Sequence, residues 1–111
     1  MGIQAFNPQG NNTFKFAADV AAPTPVQVIS GGLGSIQYRL HNTGTVVAYI
    51  GYGGNATVAT TNATTTIDGT KPTLTMVPGS IEVFTLPAGC YFTGVATGGP
   101  ATIIVTAGDG V

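Results

Sequence analysis

Breakers and β-formers are spread so evenly along this chain that no window of a dozen residues can sustain a helix. With 17 Gly, 7 Pro and 18 Thr among 111 residues, no segment is left long enough to show a 3.6-residue apolar period. A period of two survives instead. In "SIQYRLH" (35–41), Ile36, Tyr38 and Leu40 fall on one face and Gln37, Arg39 and His41 on the other. That is the mark of a strand with one dry and one wet side. "TFKFA" (13–17) sets Phe14 and Phe16 against Lys15, and "PVQVI" (25–29) puts Val26 with Val28. "NTGT" (42–45) is built of turn formers, and "VVAYIGY" (46–52) behind it is almost continuously apolar. The span 35–52 therefore reads as a β-hairpin at the middle of a sheet.

Four more strands follow: "LTM" (74–76), "IEVFTL" (81–86), "YFTGVA" (91–96) and "ATIIVTA" (101–107), punctuated by "VPGS", "PAGC" and "TGGP". The polar stretch 53–72 reads as a surface loop with one short strand at 63–67; connections of this length are often contact elements. Turn signals spaced roughly every 8 to 12 residues predict an all-β protein, an antiparallel β-sandwich of jelly-roll type in a single domain. The sandwich is expected over 13–111. Residues 1–12, apolar "MGIQAF" joined to polar "NPQGNN", read as an N-terminal arm that packs on a neighbour.

Composition narrows the function classes. Charged residues make up 6% of the chain, against about 25% in ordinary soluble domains. Its polar surface must therefore be mostly Thr, Asn, Gln, Ser and Gly, which suits a subunit packed against others. Three Lys and Arg residues are too few to neutralise a row of phosphates, which argues against a nucleic-acid partner. No apolar run approaches the roughly 20 residues that span a bilayer. The N-terminus shows no basic segment leading into an apolar one, so no signal peptide is expected and synthesis in the cytoplasm is.

No residue type clusters in a way that carries catalysis. His41 stands on a wet face with no carboxylate or nucleophile in a local motif beside it. Cys90, the lone cysteine, has neither helix nor cation nearby to lower its pKa and reads as a small buried hydrophobe. One His and one Cys do not make a metal site, and Asp68 and Asp109 fall in the turns "DGT" and "GDG". "GGLG" and "GYGG" lack the following helix that a phosphate loop requires. Neither catalytic, cofactor-binding nor metal-binding residues are assigned, and no cofactor is expected. Tyr49, Tyr52, Tyr91 and Phe92 could together form a sugar-stacking platform. That leaves a receptor- or carbohydrate-binding module as the alternative reading.

Three segments, "YRLHNTGTVVAYIGYG", "VPGSIEVFTLPAGCYFTGVAT" and the ending "GGPATIIVTAGDGV", resemble small virion structural proteins of tailed double-stranded DNA bacteriophages. The likeness lies mostly in residues 36–52 and 77–111. It implies a non-enzymatic β-sandwich on the capsid surface of the virion, a decoration (cement) protein made in the host bacterial cytoplasm. The major capsid protein and further copies of the chain would be its partners. In that setting a homo-oligomer is expected, a trimer narrowly favoured over a dimer, because cyclic closure protects sheet edges and suits local symmetry axes. The alternative places the module on a phage tail or fibre.

Overall fold

The computed structural model describes residues 7–27, 35–65 and 69–109, those at 7–12, 35 and 109 by their backbone only. Among the described residues eight strands and one short helix follow in order: β1 (Asn7–Ala18), β2 (Val26–Gln27), β3 (Ser35–Asn42), β4 (Ala48–Gly53), α1 (Ala56–Asn62), β5 (Leu74–Met76), β6 (Ile81–Pro87), β7 (Tyr91–Val95) and β8 (Ala101–Asp109). They form two four-stranded sheets, ordered β1-β8-β3-β6 and β2-β7-β4-β5, and every ladder is antiparallel.

The ladders explain the topology. β1 pairs β8, β2 pairs β7, β3 pairs β6 and β4 pairs β5. The chain is thus one long hairpin, its tip between β4 and β5, rolled over so that successive pairs alternate between sheets. Two further ladders, β3 with β8 and β4 with β7, complete each sheet. This is the eight-stranded jelly roll that the turn spacing predicted.

The alternation in β3 is borne out. Tyr38 and Leu40 are fully buried, Arg39 is exposed, and Ile36 is half-buried against the core. Facing them lie Phe16, Ile103 and Val105 from the same sheet, and Ile50, Met76 and Phe92 from the other. At about 25 cal/mol per Å² of apolar surface removed from water, this shared interior is the main stabilising term. Tyr38 is satisfied within it: its hydroxyl donates to the Pro87 carbonyl at 2.9 Å and accepts from the Cys90 N–H at 3.3 Å. Its ring meets Phe92 edge-on, with centroids 5.0 Å apart.

Four expectations are corrected. First, β3 and β4 are not a hairpin, because they belong to different sheets. "NTGT" carries the chain across the sandwich, and Asn42 pins the crossing. Its side-chain amide donates to the carbonyls of Val46 and Met76, both at 3.0 Å, and its Oδ1 accepts from Gly44 N–H at 2.9 Å. Second, a helix exists, seven residues from Ala56 to Asn62, capped by the Asn55 side chain accepting from Val58 N–H. Third, 63–65 are not strand, and 66–68 lie outside the described residues. Fourth, β1 begins at Asn7, where Asn7 and Pro8 pair with Asp109 and Gly108 ahead of a register shift before Thr13. The sheet thus reaches into the stretch read as an arm; residues 1–6 lie outside the described ones, as do 28 and 29 of the second strand.

Candidate functional site

The register assembles one surface that interior packing leaves over. In an antiparallel ladder, directly opposed residues share a face. His41 opposes Ile81 on β6 and Ile104 on β8, and Ile104 opposes Lys15 on β1. One row across the outer face of β1-β8-β3-β6 therefore reads Ile81, His41, Ile104, Lys15. The neighbouring row reads Val83, Arg39, Thr106, Thr13. A shallow depression of about 390 Å³ lies among Thr13, Arg39, His41, Ile81, Ile104 and Thr106. Its floor is Thr106, 5% exposed, whose Oγ1 is 3.3 Å from that of Thr13. Ile81, 57% exposed, gives its rim apolar surface beside Arg39.

The two carboxylates whose side chains are described sit elsewhere. Glu82 opposes Leu40 and so belongs to the other face of β6, and Asp19 lies where the chain leaves β1 for the second sheet, accepting from Val20 N–H. Asp68 falls outside the described residues, and the side chain of Asp109 is not described. His41 consequently has no described carboxylate on its face. Among the described residues no three His, Cys, Asp or Glu side chains converge as metal ligands.

Cys90 lies 2% exposed at the start of β7. Burial pushes its thiol above the ordinary value of 9.0, against the pull of backbone hydrogen bonds from Gly53 and Tyr91. A thiol held protonated is a poor nucleophile. It underlies an apolar cleft of about 280 Å³ bordered by Tyr52, Val58, Pro72, Pro87 and Ala88. The one side-chain amide there, Asn62, is already donating to the Tyr52 carbonyl at 2.9 Å.

The four aromatics do not make a platform. Phe92 is fully buried and Tyr52 packs against the core, so both serve the interior. Tyr49 opposes Val95 and Tyr91 opposes Gly53, which puts these two on the outer side of β2-β7-β4-β5. Between them lie Gly51 and its partner Thr93, both buried.

The glycines of "GYGG" have a structural use instead. A Cβ at Gly51 would stand 2.2 Å from the Ala59 carbonyl oxygen and 2.3 Å from Ala63 N, and one at Gly53 would stand 2.4 Å from a Val58 methyl. They let α1 lie directly on β4. Two features escaped sequence reasoning: the glycine shelf and the polar pin at Asn42. For the first, the glycines alternate with Ile50 and Tyr52 and precede Asn55, a good N-cap, which was a usable signal. For Asn42 no local signal existed.

Fold and surface together define a small jelly roll with one outer face that the described residues leave uncovered. No protein-family model matches the chain, and none of the curated proteins or solved structures compared with it matches significantly.

Proposed function

We propose that this jelly roll is a non-enzymatic structural protein of a tailed-bacteriophage virion. It acts as a capsid decoration (cement) protein that binds the major capsid protein at the outer shell. The observation that carries the reading is the outer face of β1-β8-β3-β6, where Ile81 and Val83 stand exposed on an edge strand beside Arg39 and His41. Covering the exposed Ile81 and Val83 would gain apolar contact. Jelly rolls serve viral shells and lectins alike, so the fold leaves the choice to the surface. The resemblance of 36–52 and 77–111 to phage virion proteins supports the capsid, and the divided aromatics give a sugar platform no support.

Cementing works by number: modest contacts repeated around a shell sum through avidity. A homo-oligomer fits that role, and β6, one of the two edge strands of its sheet, carries no Lys to discourage pairing. The test is the copy number of this chain in purified virions. A count of the same order as the major capsid protein is expected. A handful of copies, confined to the tail, overturns the capsid assignment, and absence from the particle overturns the reading as a whole.

A further inference from the structure

We infer that the outer edge of β6 pairs with β6 of a second copy, antiparallel about a two-fold axis through Val83. The inference rests on the reading of this chain as an assembly component and names its self-contact. It starts from the direction in which the backbone of β6 faces. Asn42 N–H donates to the Ser80 carbonyl at 3.0 Å and the Asn42 carbonyl accepts from Gly79 N–H at 2.9 Å, whereas Thr43 N–H donates to Thr102 on β8. Backbone groups alternate in direction along a strand, so Leu40, Tyr38 and Ile36 also face β6. Their partners Glu82, Phe84 and Leu86 face back toward β3. That leaves the N–H and C=O groups of Ile81, Val83 and Thr85 pointing away from the sheet, where no described strand receives them. All three residues are exposed.

The other edges are blunted. Among the described strands, β2 and β5 are two and three residues long. β1 is interrupted by a register shift before Thr13 and carries Lys15. β6 runs seven residues without a shift against β3. A head-to-tail contact would have to use one of the poorer edges. The edge that matches β6 is therefore β6 itself, in an isologous contact that makes dimers, not trimers. Its register follows from the residues. Pro87 has no N–H to give, and Gly79 lies in a turn at φ +77°, so the pairing is confined between them. Centred on Val83, it sets Val83 against its own copy and Ile81 against Thr85. Every pair that exchanges hydrogen bonds is then β-branched, a combination that sheets favour. Moving the centre by one residue sets Ile81 against Pro87 or Thr85 against Gly79, and bonds are lost. Glu82 is the only charge on the strand, and its two copies would stand diagonally across the axis.

Sedimentation of the full chain from about 5 to 300 µM should show a monomer–dimer equilibrium. Amide exchange at the upper concentration should add protection at Ile81, Val83 and Thr85 and none at Glu82, Phe84 and Leu86, whose N–H groups already face β3. Val83→Cys should cross-link between copies under mild oxidation, because a hydrogen-bonded pair sets its Cα atoms about 5.5 Å apart. Ile81→Cys should not, since its counterpart lies about 13 Å further along the strand. The native Cys90, 2% exposed, stays out of the reaction. Val83→Lys opposes like charges across the axis and should weaken association at least about fivefold with the monomer's melting temperature kept; should it fail to fold, Thr85→Lys serves the same purpose. Glu82→Gln should tighten association about twofold by removing the diagonal repulsion. A monomer throughout the range, a trimer, equal cross-linking of both cysteine variants, or a dimer indifferent to Val83→Lys would overturn the inference. Absence of the chain from virions would sink the capsid reading and leave this pairing standing.

Discussion

On the outer side of β2-β7-β4-β5, α1 lies on Gly51 and Gly53, and buried Thr93 donates to the Pro23 carbonyl at 2.7 Å. On the outer side of β1-β8-β3-β6, the described chain lays no comparable cover over Lys15, Arg39, Val83 and Ile81, all exposed. Among the described residues, the same sandwich thus closes one of its faces with its own chain and leaves the other uncovered. Closing required something specific. Two side chains of β4 are absent so that a two-turn helix, too short to be stable alone, can settle on the sheet. The open face keeps full-sized side chains of mixed character, the usual composition of a recognition surface and not of a core.

The covered face is where the largest effect is expected. Gly51→Val puts atoms where the backbone of Ala59 and Ala63 already stands. Overpacking against backbone is expected to cost about 3 kcal/mol or more. Thermal melts should show this, and amide exchange should show 56–62 losing protection. An unchanged melt would mean that α1 does not rest on the sheet. Gly53→Ala should cost less, because its nearest obstacles are side-chain atoms of Val58 and the closest backbone atom, Ala59 N, stands 3.0 Å away.

Next in size is the pin at the crossing between sheets. Asn42→Leu strands the Val46 and Met76 carbonyls and the Gly44 N–H. Each buried group left without a partner is expected to cost about 1–3 kcal/mol; relaxation and water entry would recover part, so the net is about 3 kcal/mol. Asn42→Asp should be at least as harmful, because a carboxylate would face two carbonyl oxygens. Equilibrium urea unfolding decides it, and a midpoint equal to wild type would show that "NTGT" alone directs the crossing.

Those two sites also mark what could be read from sequence. Alternation announces which way a side chain points, and so the faces of β3, the strands from 74 onward and the jelly-roll class were legible. It does not announce which sheet a strand joins. A turn such as "NTGT" has the same composition whether it closes a hairpin or crosses a sandwich. The deciding bond runs from Asn42 to Met76, 34 residues away. The helix was hidden for a related reason: "ATVATTN" has weak propensity, and its stability comes from a shelf in the preceding strand. The open face was half legible, since the wet side of "SIQYRLH" was plain. Its partners Lys15, Ile104 and Ile81 became visible only with the register.

A smaller effect should appear at high pH. Burial raises the Cys90 thiol above 9.0 and, as the larger influence, the Tyr38 phenol above 10.0, where it outweighs a lowering hydrogen bond with the Cys90 backbone. Both groups are neutral when protonated, and folding holds their protons more tightly than the unfolded chain does. Their contribution is therefore fully present below pH 9, and it declines as pH rises past the unfolded values toward the folded ones. Stability should fall first near pH 9 and more steeply beyond pH 10. Cys90→Ala should remove the earlier part of that decline; an identical pH profile in the variant would show that the thiol is not held protonated by burial.

The smallest change in stability belongs to the open face, where it sharpens the contrast most. Arg39→Ala and His41→Ala remove side chains from the outer side of β3, while Tyr38 and Leu40 on the inner side are untouched. Surface substitutions of this kind alter stability little, and the melting temperature of each should stay within about 3 °C of wild type. Val83→Thr should behave alike, since threonine keeps the β-branched shape that a strand favours. Under the proposed capsid role, attachment to the shell is where these variants should differ, because on an interface even an exposed cation governs encounter and salt dependence. The measurement pairs a thermal melt with binding to particles stripped of this protein. Melts unchanged and binding weakened would assign the face to recognition. A large drop in the melting temperature would show instead that the open face supports the fold, and that the two sides of the sandwich differ less than their coverage suggests.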